Sequence, residues 1–258
     1  MDYLQGQLSQ DVAGLAVGES AWSFVLQPQG KVDAWFRVER TGADAVAIDV
    51  QAGYGAVVSA RLERFKLRTR AEIELDESVP CVAVRGIELA DGLSAGWPGL
   101  AGSDHLGTTN LPQGLPAGAV ELDREAFDAL RIAHGVPAMG HELTDATIPA
   151  EAGQWVIDAS VSFTKGCYTG QELVARIDSR GGNVPRRLRG FTAPSQPPAA
   201  GTEVFVAGEP MGHVTSATRA ADGAAVGLAY MKRSVELPAR GTVDGVVVEL
   251  FEVPASTA

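Results

Sequence analysis

The last quarter of the chain is divided into short β-rich runs, and this division constrains the fold more than any other feature. After Arg186 the runs read RLRGFTA, TEVFVAG, GHVTSAT, AAVGLAYM and TVDGVVVELFEV, with glycine and proline between them. Short strands separated by turn residues are typical of a closed antiparallel sheet, because closure removes unpaired strand edges. We therefore expect residues 186–258 to form a small β-barrel.

Two kinds of periodicity divide residues 1–185. β-rich runs bounded by turn residues predict strands, and apolar residues three and four positions apart predict helices. The predicted elements are a hairpin over residues 21–39 with its turn at 28–31, a strand over 44–50, a helix over 54–67, strands over 67–75 and 79–86, and a helix that begins after Asp123 and stops at Gly135. This mixture, followed by a barrel, indicates an α+β protein with two or three packed units.

The segment 90–118 carries seven glycines and three prolines, more than a regular element accommodates. We predict a long irregular loop there, of the kind that is functional or mobile. Cys81 precedes this segment in a strand-like run, and a free cysteine behaves as a small hydrophobic side chain. The sequence therefore predicts that Cys81 is a buried structural residue.

Charge and composition exclude several classes of protein. The net charge of −11 and the isoelectric point near 4.8 argue against a large nucleic-acid-binding surface, because a phosphate backbone favours a basic face. No signal-peptide pattern opens the sequence, and no apolar run reaches the ~18 residues of a membrane span. We expect a cytoplasmic protein that contacts neither nucleic acid nor membrane. Two cysteines also cannot supply the four thiolates of an ordinary iron–sulfur cluster.

The stretch FTKGCYTGQELVARI (163–177) places one of only four lysines two residues before one of only two cysteines. Thr169 and Glu172 fit a capping box, so Thr169 is predicted to cap a helix formed by the apolar residues that follow. Cys167 would then lie near the positive end of the helix dipole and near the Lys165 ammonium group. Both favour the thiolate form, which is the reactive form of cysteine.

A structural interpretation explains the same residues. Gly166 then makes a tight turn, Cys167 fills an interface between domains, and Lys165 points to water. The local pattern leaves both interpretations open.

The residues KGCYTGQE (165–172) resemble the signature of the YgfZ family, a group of folate-binding proteins similar in fold to the T-protein of the glycine cleavage system, an aminomethyltransferase. Weaker resemblances occur in the same order in LQGQLSQDV (4–12), PQGKV (28–32) and residues 130–153. Two C-terminal runs, GHVTSAT and GLAYMKR, also agree.

The resemblance implies a ring of two α+β units within residues 1–185 and a C-terminal β-barrel over 186–258, around a central cavity. It implies that the cavity holds tetrahydrofolate or a one-carbon-substituted folate. It further implies a role in the assembly or repair of iron–sulfur enzymes, which would be the protein partners. Relatives carry one or two strands before the LQGQLSQDV segment, so an unpaired strand edge is expected in this chain.

The resemblance also indicates site residues. Cys167 and Lys165 would form the functional pair. The expected folate contacts lie within the signature or near it: Tyr168, Glu151, Gly166, Gln171 and Arg187.

Several of these residues have structural alternatives. Tyr168 suits a ring stacked on a pterin or one that fills an interface. Glu151 suits a cavity carboxylate or one bonded to nearby backbone. Arg187 lies in a short basic run that suits the glutamyl tail of a folate or a solvated strand edge. No metal site is expected, because His134 and His141 lack the spacing of a helix-borne motif.

The resemblance to aminomethyltransferases breaks at their catalytic acid. Those enzymes carry two acidic residues after the turn that corresponds to residues 29–32, and the second is essential; here the pair is Asp33–Ala34. Asp33 stands one position early, and neighbouring side chains on a strand point to opposite faces. Phe127 occupies the position of their folate-contacting arginine, whereas Arg131 is predicted to pair with acidic residues of its own helix.

Three functional hypotheses follow. The leading one is a folate-binding accessory protein for iron–sulfur enzymes in which Cys167 is the functional thiol, and not a classical aminomethyltransferase. The second is a folate-dependent one-carbon transferase in which Asp33 or Glu151 replaces the lost acid. The third makes Cys167 a redox-active thiol without a folate role.

Overall fold

The computed structural model describes residues 1–194 and 196–254. Its helices are α1 (Asp2–Gln5), α2 (Gly55–Phe65), α3 (Arg124–Ala133), α4 (Gln154–Ser160) and α5 (Gln171–Asp178), with a 3-10 turn at Pro149–Ala152. Its strands are β1 (Ser20–Leu26), β2 (Val32–Arg40), β3 (Val46–Val50), β4 (Cys81–Arg85), β5 (Leu93–Ser94), β6 (Gly102–Leu106), β7 (Arg186–Ala193), β8 (Glu203–Val206), β9 (Glu209–Arg219), β10 (Ala225–Lys232), β11 (Ala239–Val243) and β12 (Val246–Glu252). The longest described helix has 11 residues, and none of the described helices is long and apolar enough to cross a membrane.

The predicted hairpin over residues 21–39 is confirmed. β1 and β2 pair antiparallel, and β3 extends them into a sheet with the order β1-β2-β3. The connecting turn depends on Gly30, whose φ of 78° is a left-handed conformation that glycine adopts without strain. Phe24 and Phe36 are fully buried on this sheet, which forms the floor of the largest hydrophobic core.

Helices α2 and α4 complete that core. Val58 and Leu62 of α2 are each 4% exposed, as the predicted helical stripe requires. Trp22 stacks on Trp35 with 4.1 Å between ring centroids, and Trp155 of α4 meets Trp35 edge-on at 6.1 Å. Aromatic pairs in these geometries add to the free energy gained by burial. The sheet and α4 therefore share one aromatic cluster.

The prediction of an irregular loop over residues 90–118 is wrong in part, because the segment contains β5 and β6. β6 pairs antiparallel with β4 and β5 in a second sheet with the order β4-β6-β5. Glycine here serves close packing: a Cβ atom at Gly102 would lie 2.6 Å from the Val84 carbonyl oxygen. Residues 90–92, 95–101 and 107–118 of the predicted loop lie outside the strands and helices.

Two predictions next to this sheet need correction. Residues 67–75 form no strand, although their sequence alternates in polarity. The strand over 79–86 is confirmed as β4, but Cys81 is exposed and not buried. β4 is an edge strand, so its first residue is covered from one side only. Partial desolvation and the carboxylates of Asp104 and Asp49 raise the pKa of Cys81 to about 11.

A buried arginine joins the two three-stranded sheets. Arg37 of β2 is 2% exposed, and its Nη2 lies 2.6 Å from Asp49 Oδ2 on β3. Its Nη1 lies 3.0 Å from Asp104 Oδ2 on β6 and donates to the Ser94 carbonyl at 2.8 Å. A buried guanidinium is tolerated only when it is paired and hydrogen-bonded. These partners therefore fix how the sheets meet.

The predicted C-terminal barrel is confirmed, and with it the α+β fold class. Six strands close in the order β10-β7-β12-β11-β8-β9, because the last β-rich run forms a hairpin of two strands, β11 and β12. The interior buries Phe191 and Leu250, and Gly227 leaves the space for the Phe191 ring, which a Cβ atom would approach to 2.1 Å. Although β7 begins at Arg186, the division of the chain at that residue stays a prediction.

A buried carboxylate attaches the barrel to the rest of the chain. Glu142 is fully buried, and its Oε2 lies 3.2 Å from Arg131 Nη1 of α3 and accepts from the Ala138 N–H at 2.9 Å. Its Oε1 accepts from the hydroxyl groups of Thr215 at 2.7 Å and Ser216 at 2.5 Å, both on β9. Each carboxylate oxygen therefore has two donors, and the donors come from three separate segments.

α3 begins as predicted and brings Arg131 to this carboxylate. The Asp123 side chain accepts from the Ala126 N–H at 2.8 Å and caps the helix. Arg131 pairs with Asp128 at 3.0 Å, as expected, but its guanidinium group is buried and also contacts Glu142. The arginine thus lies at an interface and not on the surface.

We expect Glu142→Ala to lower the free energy of unfolding by about 3 kcal/mol, because it removes a buried acceptor shared by four donors, among them the Arg131 guanidinium and the Ser216 hydroxyl group. The exposed pair Arg240–Glu249 provides the control, and Glu249→Ala should cost less than about 1 kcal/mol. Urea unfolding followed by circular dichroism measures both. Equal losses in the two variants would show that the Glu142 contacts do not hold the barrel.

Candidate functional site

The signature turn, residues 163–170, connects α4 to α5 and packs against an N-terminal segment, residues 6–10. The Thr169 N–H donates to the Gly6 carbonyl at 3.1 Å, and the Ser162 N–H donates to the Ser9 carbonyl at 3.0 Å. The Ser9 hydroxyl group donates to the Ser160 carbonyl at 2.6 Å. These bonds join residues more than 150 positions apart and set the position of the turn.

Lys165 makes the strongest contacts between the turn and the N-terminal segment. Its Nζ donates to the Leu8 carbonyl at 2.6 Å and to the Gln10 carbonyl at 2.9 Å, and it lies 5.2 Å from the centre of the Tyr168 ring. Burial lowers the pKa of Lys165 to about 8, although the nearby Asp11 carboxylate acts in the opposite direction. The interpretation in which Lys165 points to water is therefore wrong.

Cys167 lies on the outer side of the same turn and is exposed. Around Gly166, which precedes it, a Cβ atom would meet no other atom within 4 Å. The interpretation in which Cys167 fills a domain interface is therefore wrong as well. The turn presents a free, reachable thiol two residues from an amine of lowered pKa.

The predicted capping box at Thr169 and Glu172 is wrong. The N-cap of α5 is Gly170, with φ of 84° and no side-chain cap, and the helix begins at Gln171. A Cβ atom at Gly170 would lie 2.5 Å from the Gln27 carbonyl oxygen, so this close approach selects glycine. Cys167 consequently lies four residues before the first residue of α5, one position further away than the predicted cap would place it.

The turn at residues 28–31 is the neighbour that requires Gly170. A Cβ atom at Gly30 would lie 3.0 Å from the Gly170 carbonyl oxygen and 2.6 Å from the Leu173 Cβ atom. Two of the segments that carry the family resemblance are thus in direct contact. Each has a glycine where the other approaches.

Two residues of the signature that were expected to contact folate make contacts within the protein instead. Tyr168 is 8% exposed within the main core, and burial raises its pKa to about 12. Gln171 accepts from the Tyr168 N–H through Oε1 at 3.1 Å. The Tyr168 ring therefore packs inside the protein and under the Lys165 ammonium group, and the Gln171 side chain stabilises the start of α5.

Glu151 and the basic run at 186–189 meet at the edge of the barrel. Glu151 is 3% exposed, accepts from the Ile148 N–H at 3.2 Å and pairs with Arg186 at 3.1 Å. The Arg186 guanidinium lies 4.3 Å from the centre of the Tyr230 ring. Arg189 pairs with Glu252, and Arg187 is exposed. Of the basic run, Arg187 is the residue open to an anionic ligand.

Neither of the two positions that correspond to the acidic pair of the transferases carries a free carboxylate. Ala34 is fully buried on β2, and the neighbouring Asp33 lies 3.2 Å from Arg61 Nε. Arg61 also donates to Gln7 Oε1 at 3.1 Å and to the Leu26 carbonyl at 3.2 Å. Asp33 is therefore held in an ion pair.

Sequence reasoning missed Arg61, and a signal for it existed. Arg61 follows Val58 by three positions and precedes Leu62, so it lies on the buried face of α2. A charged residue on a buried helical face needs a partner, which here is Asp33.

His134, considered from its sequence spacing as a metal ligand, has its Nδ1 3.0 Å from the Pro98 carbonyl oxygen. Within residues 1–194 and 196–254, no group of three or more His, Cys, Asp or Glu side chains is placed to hold a metal ion.

An open apolar groove lies beside the signature turn. Its walls come from the 3-10 turn at Pro149–Ala152, from α4 and from α5, and they include Ile157, Val174 and Ile177. Phe163, at the start of the turn, is 48% exposed and lines its edge. The first residue of the turn therefore borders an apolar surface.

No protein-family model matches the chain. Among curated proteins, the chain is 30% identical over 208 residues to the tRNA-modifying protein YgfZ of Edwardsiella ictaluri, a match that covers 70% of this chain and 62% of that protein. It is 28% identical over 228 residues to the protein of the same name from Sodalis glossinidius, covering 78% and 69%. It is also 38% identical over 122 residues to a putative chloroplastic transferase of Arabidopsis thaliana, covering 46% and 27%.

A solved structure matches the whole architecture. The aminomethyltransferase T of the glycine cleavage system from Bartonella henselae superposes with a TM-score of 0.74 over 98% of this chain and 80% of that chain, at 19% identity. At this identity the likeness shows the fold alone, and it confirms the fold expected from the signature.

The YgfZ matches add sequence similarity to this shared fold. The chain spans 62% of the length of the Edwardsiella protein. Several YgfZ proteins match it at 26–30% identity over at least 70% of its length. These matches show that the chain is similar in sequence to YgfZ proteins.

Proposed function

We propose that this protein binds tetrahydrofolate or a one-carbon-substituted folate and supports the assembly or repair of iron–sulfur enzymes, with Cys167 as its functional thiol. The observation that carries the proposal is the signature turn. Cys167 is exposed there, two residues from Lys165, whose amine has a pKa lowered to about 8. Perturbed titratable groups beside a reachable nucleophile are typical of functional sites.

The folate part of the proposal rests on the T-protein fold and on the relationship to YgfZ proteins. Among the residues expected at the ligand, Arg187 is an exposed guanidinium, a group suited to the carboxylates of a glutamyl tail. Glu151 and Tyr168 are buried. We therefore propose that Arg187 contacts the ligand tail, and that Glu151 and Tyr168 shape the site from beneath.

The alternative of a one-carbon transferase gains no support from the replacement acids. Asp33 is paired with Arg61 at 3.2 Å, and Glu151 is paired with Arg186 at 3.1 Å. A general acid or base must be free to exchange a proton with the reacting group. Both carboxylates are held by a guanidinium instead, which favours a binding role.

The relatives are named tRNA-modifying proteins. For this chain we propose that any effect on tRNA passes through client enzymes, because its net charge of −11 disfavours direct contact with a phosphate backbone. In a bacterial strain without its own YgfZ protein, the chain should restore the activity of iron–sulfur tRNA-modifying enzymes, and Cys167→Ser should not.

Calorimetric titration with reduced folates tests the binding proposal. We expect saturable 1:1 binding, and we expect Arg187→Ala to weaken a triglutamyl folate about tenfold while it affects a monoglutamyl folate less, because the lost contact is with the tail. The control is Arg180→Ala, which removes an exposed arginine outside the basic run. A folded protein that takes up no reduced folate would contradict the proposal.

Both thiols are exposed, but they should differ in reactivity because the pKa of Cys81 is raised to about 11. Iodoacetamide at pH 7.5 should modify Cys167 first, as measured by peptide mass spectrometry. The Cys81 rate should then rise about tenfold for each pH unit up to its pKa, since only the thiolate reacts. Equal rates for the two cysteines at pH 7.5 would remove the argument for a functional Cys167.

Lys165 should lose its charge at lower pH than an ordinary lysine. With a pKa of about 8 against an ordinary value near 10.4, its reaction with 1-fluoro-2,4-dinitrobenzene, which attacks only the neutral amine, should reach half of its maximal rate near pH 8. Because the folded-state pKa is below the unfolded one, the folded protein releases this proton first and gains stability as pH rises between these values. A Lys165 midpoint near pH 10 would contradict the burial argument.

A further inference from the structure

Residues 67–75, with the sequence LRTRAEIEL, have a symmetry that the proposed function does not use. Polar charged residues alternate with less polar ones, and basic residues occupy one half while acidic residues occupy the other. Read from the two ends toward Ala71, leucine meets leucine, arginine meets glutamate at two positions, and Thr69 meets Ile73.

In the structure the segment has no strand partner, and its acidic half alternates exposed charged residues with residues that contact the protein. The four charged side chains, Arg68, Arg70, Glu72 and Glu74, are exposed and form no ion pair within the described residues. Ile73 packs against the main core, and Leu75 lies close enough to Gly55 that a Cβ atom there would be 2.8 Å from its Cδ1.

The backbone of the acidic half of the segment is also unpaired. Within the described part of the chain, residues 72–77 make no backbone–backbone hydrogen bond. Exposed backbone groups with alternating side chains form a template for another strand. The acidic half therefore has the free hydrogen-bonding groups of a strand edge.

We propose that a second copy of this chain pairs with residues 67–75 in antiparallel fashion, about a twofold axis at Ala71. In that register Arg70 lies directly opposite Glu72 of the second copy, and Arg68 opposite Glu74. Symmetry repeats both pairs, so four ion pairs form on the outer face. Opposite charges directly across an antiparallel pair are stabilising, and a self-complementary patch is what a twofold interface requires.

The charge pattern favours this register over its neighbours. Moving the axis to Glu72 places that carboxylate against its own copy, and moving it to Arg70 does the same with two guanidinium groups. Those registers keep other opposite-charge contacts, but each adds one like-charge contact, which is destabilising. A shift that moves side chains to the other face would turn Ile73 away from the core it now covers. The register at Ala71 is the one of the three without a like-charge contact.

Pairing requires one local change in the free chain. Arg68 has a φ of 61°, and the Ala71 N–H donates to the Thr69 carbonyl at 3.1 Å, so the basic half is turned while the acidic half is open. The basic half extends as the strands pair. Because the contact is short and carries this cost, the dimer forms reversibly and at high protein concentration.

Sedimentation equilibrium over a wide range of protein concentration tests the proposal. The wild-type mass should rise from the 26.9 kDa of the single chain toward twice that value, and added salt should reverse the rise, since exposed ion pairs are screened. Two double variants test the charge pairs: Arg68→Glu with Arg70→Glu, and Glu72→Arg with Glu74→Arg. Each should associate at least about tenfold more weakly than the wild type, because four attractions become four repulsions.

A mixture of the two double variants makes the test specific. One carries four glutamates and the other four arginines, so the mixture should form a heterodimer as tight as the wild-type dimer or tighter. The control variant Arg176→Glu, Arg180→Glu makes the same charge change at exposed positions in and after α5 and should associate like wild type. Circular dichroism confirms that each variant is folded.

Two results would overturn the proposal. One is a wild-type protein that stays at 26.9 kDa at every concentration. The other is a wild-type dimer that both double variants retain, which would place the contact elsewhere on the chain.

Discussion

The structure depends most on one buried carboxylate. Glu142 accepts from α3, from the loop before it and from two hydroxyl groups of the barrel strand β9, and all of its oxygen lone pairs face protein donors. A charge in this position is stable only while every donor stays in place. The carboxylate thus specifies how the barrel meets the rest of the chain, and Arg37 does the same between the two sheets.

In the candidate site, too, a buried charged group is held by hydrogen bonds to a distant part of the chain. The Lys165 ammonium group satisfies two carbonyl groups of the N-terminal segment, and burial of that contact lowers the pKa of the amine. A structural contact and an unusual titration therefore have one cause. Cys167, two residues away, takes no part in these contacts and stays exposed. The turn is rigid where the lysine holds it and open where the cysteine lies.

Patterns that depend on neighbours in sequence were predictable, and patterns that depend on distant partners were not. The hairpin, α2, α3 with its Asp123 cap, and the barrel strands follow from periodicity and turn residues. The capping box at Thr169 was wrong because the Gln27 carbonyl oxygen approaches Gly170 from a different part of the chain. Residues 67–75 alternate like a strand but have no described strand beside them, so pattern alone overstated their structure.

The sequence by itself determined the α+β class, the C-terminal barrel and the place of the signature turn, because each is written in local spacing and residue type. Tertiary structure decided what the site residues do. Lys165 donates to two carbonyl groups of the N-terminal segment, Asp33 forms an ion pair with Arg61, and Cys81 is exposed at a sheet edge. Burial, pairing and pKa depend on atoms brought together across the chain, and a linear pattern does not contain those distances.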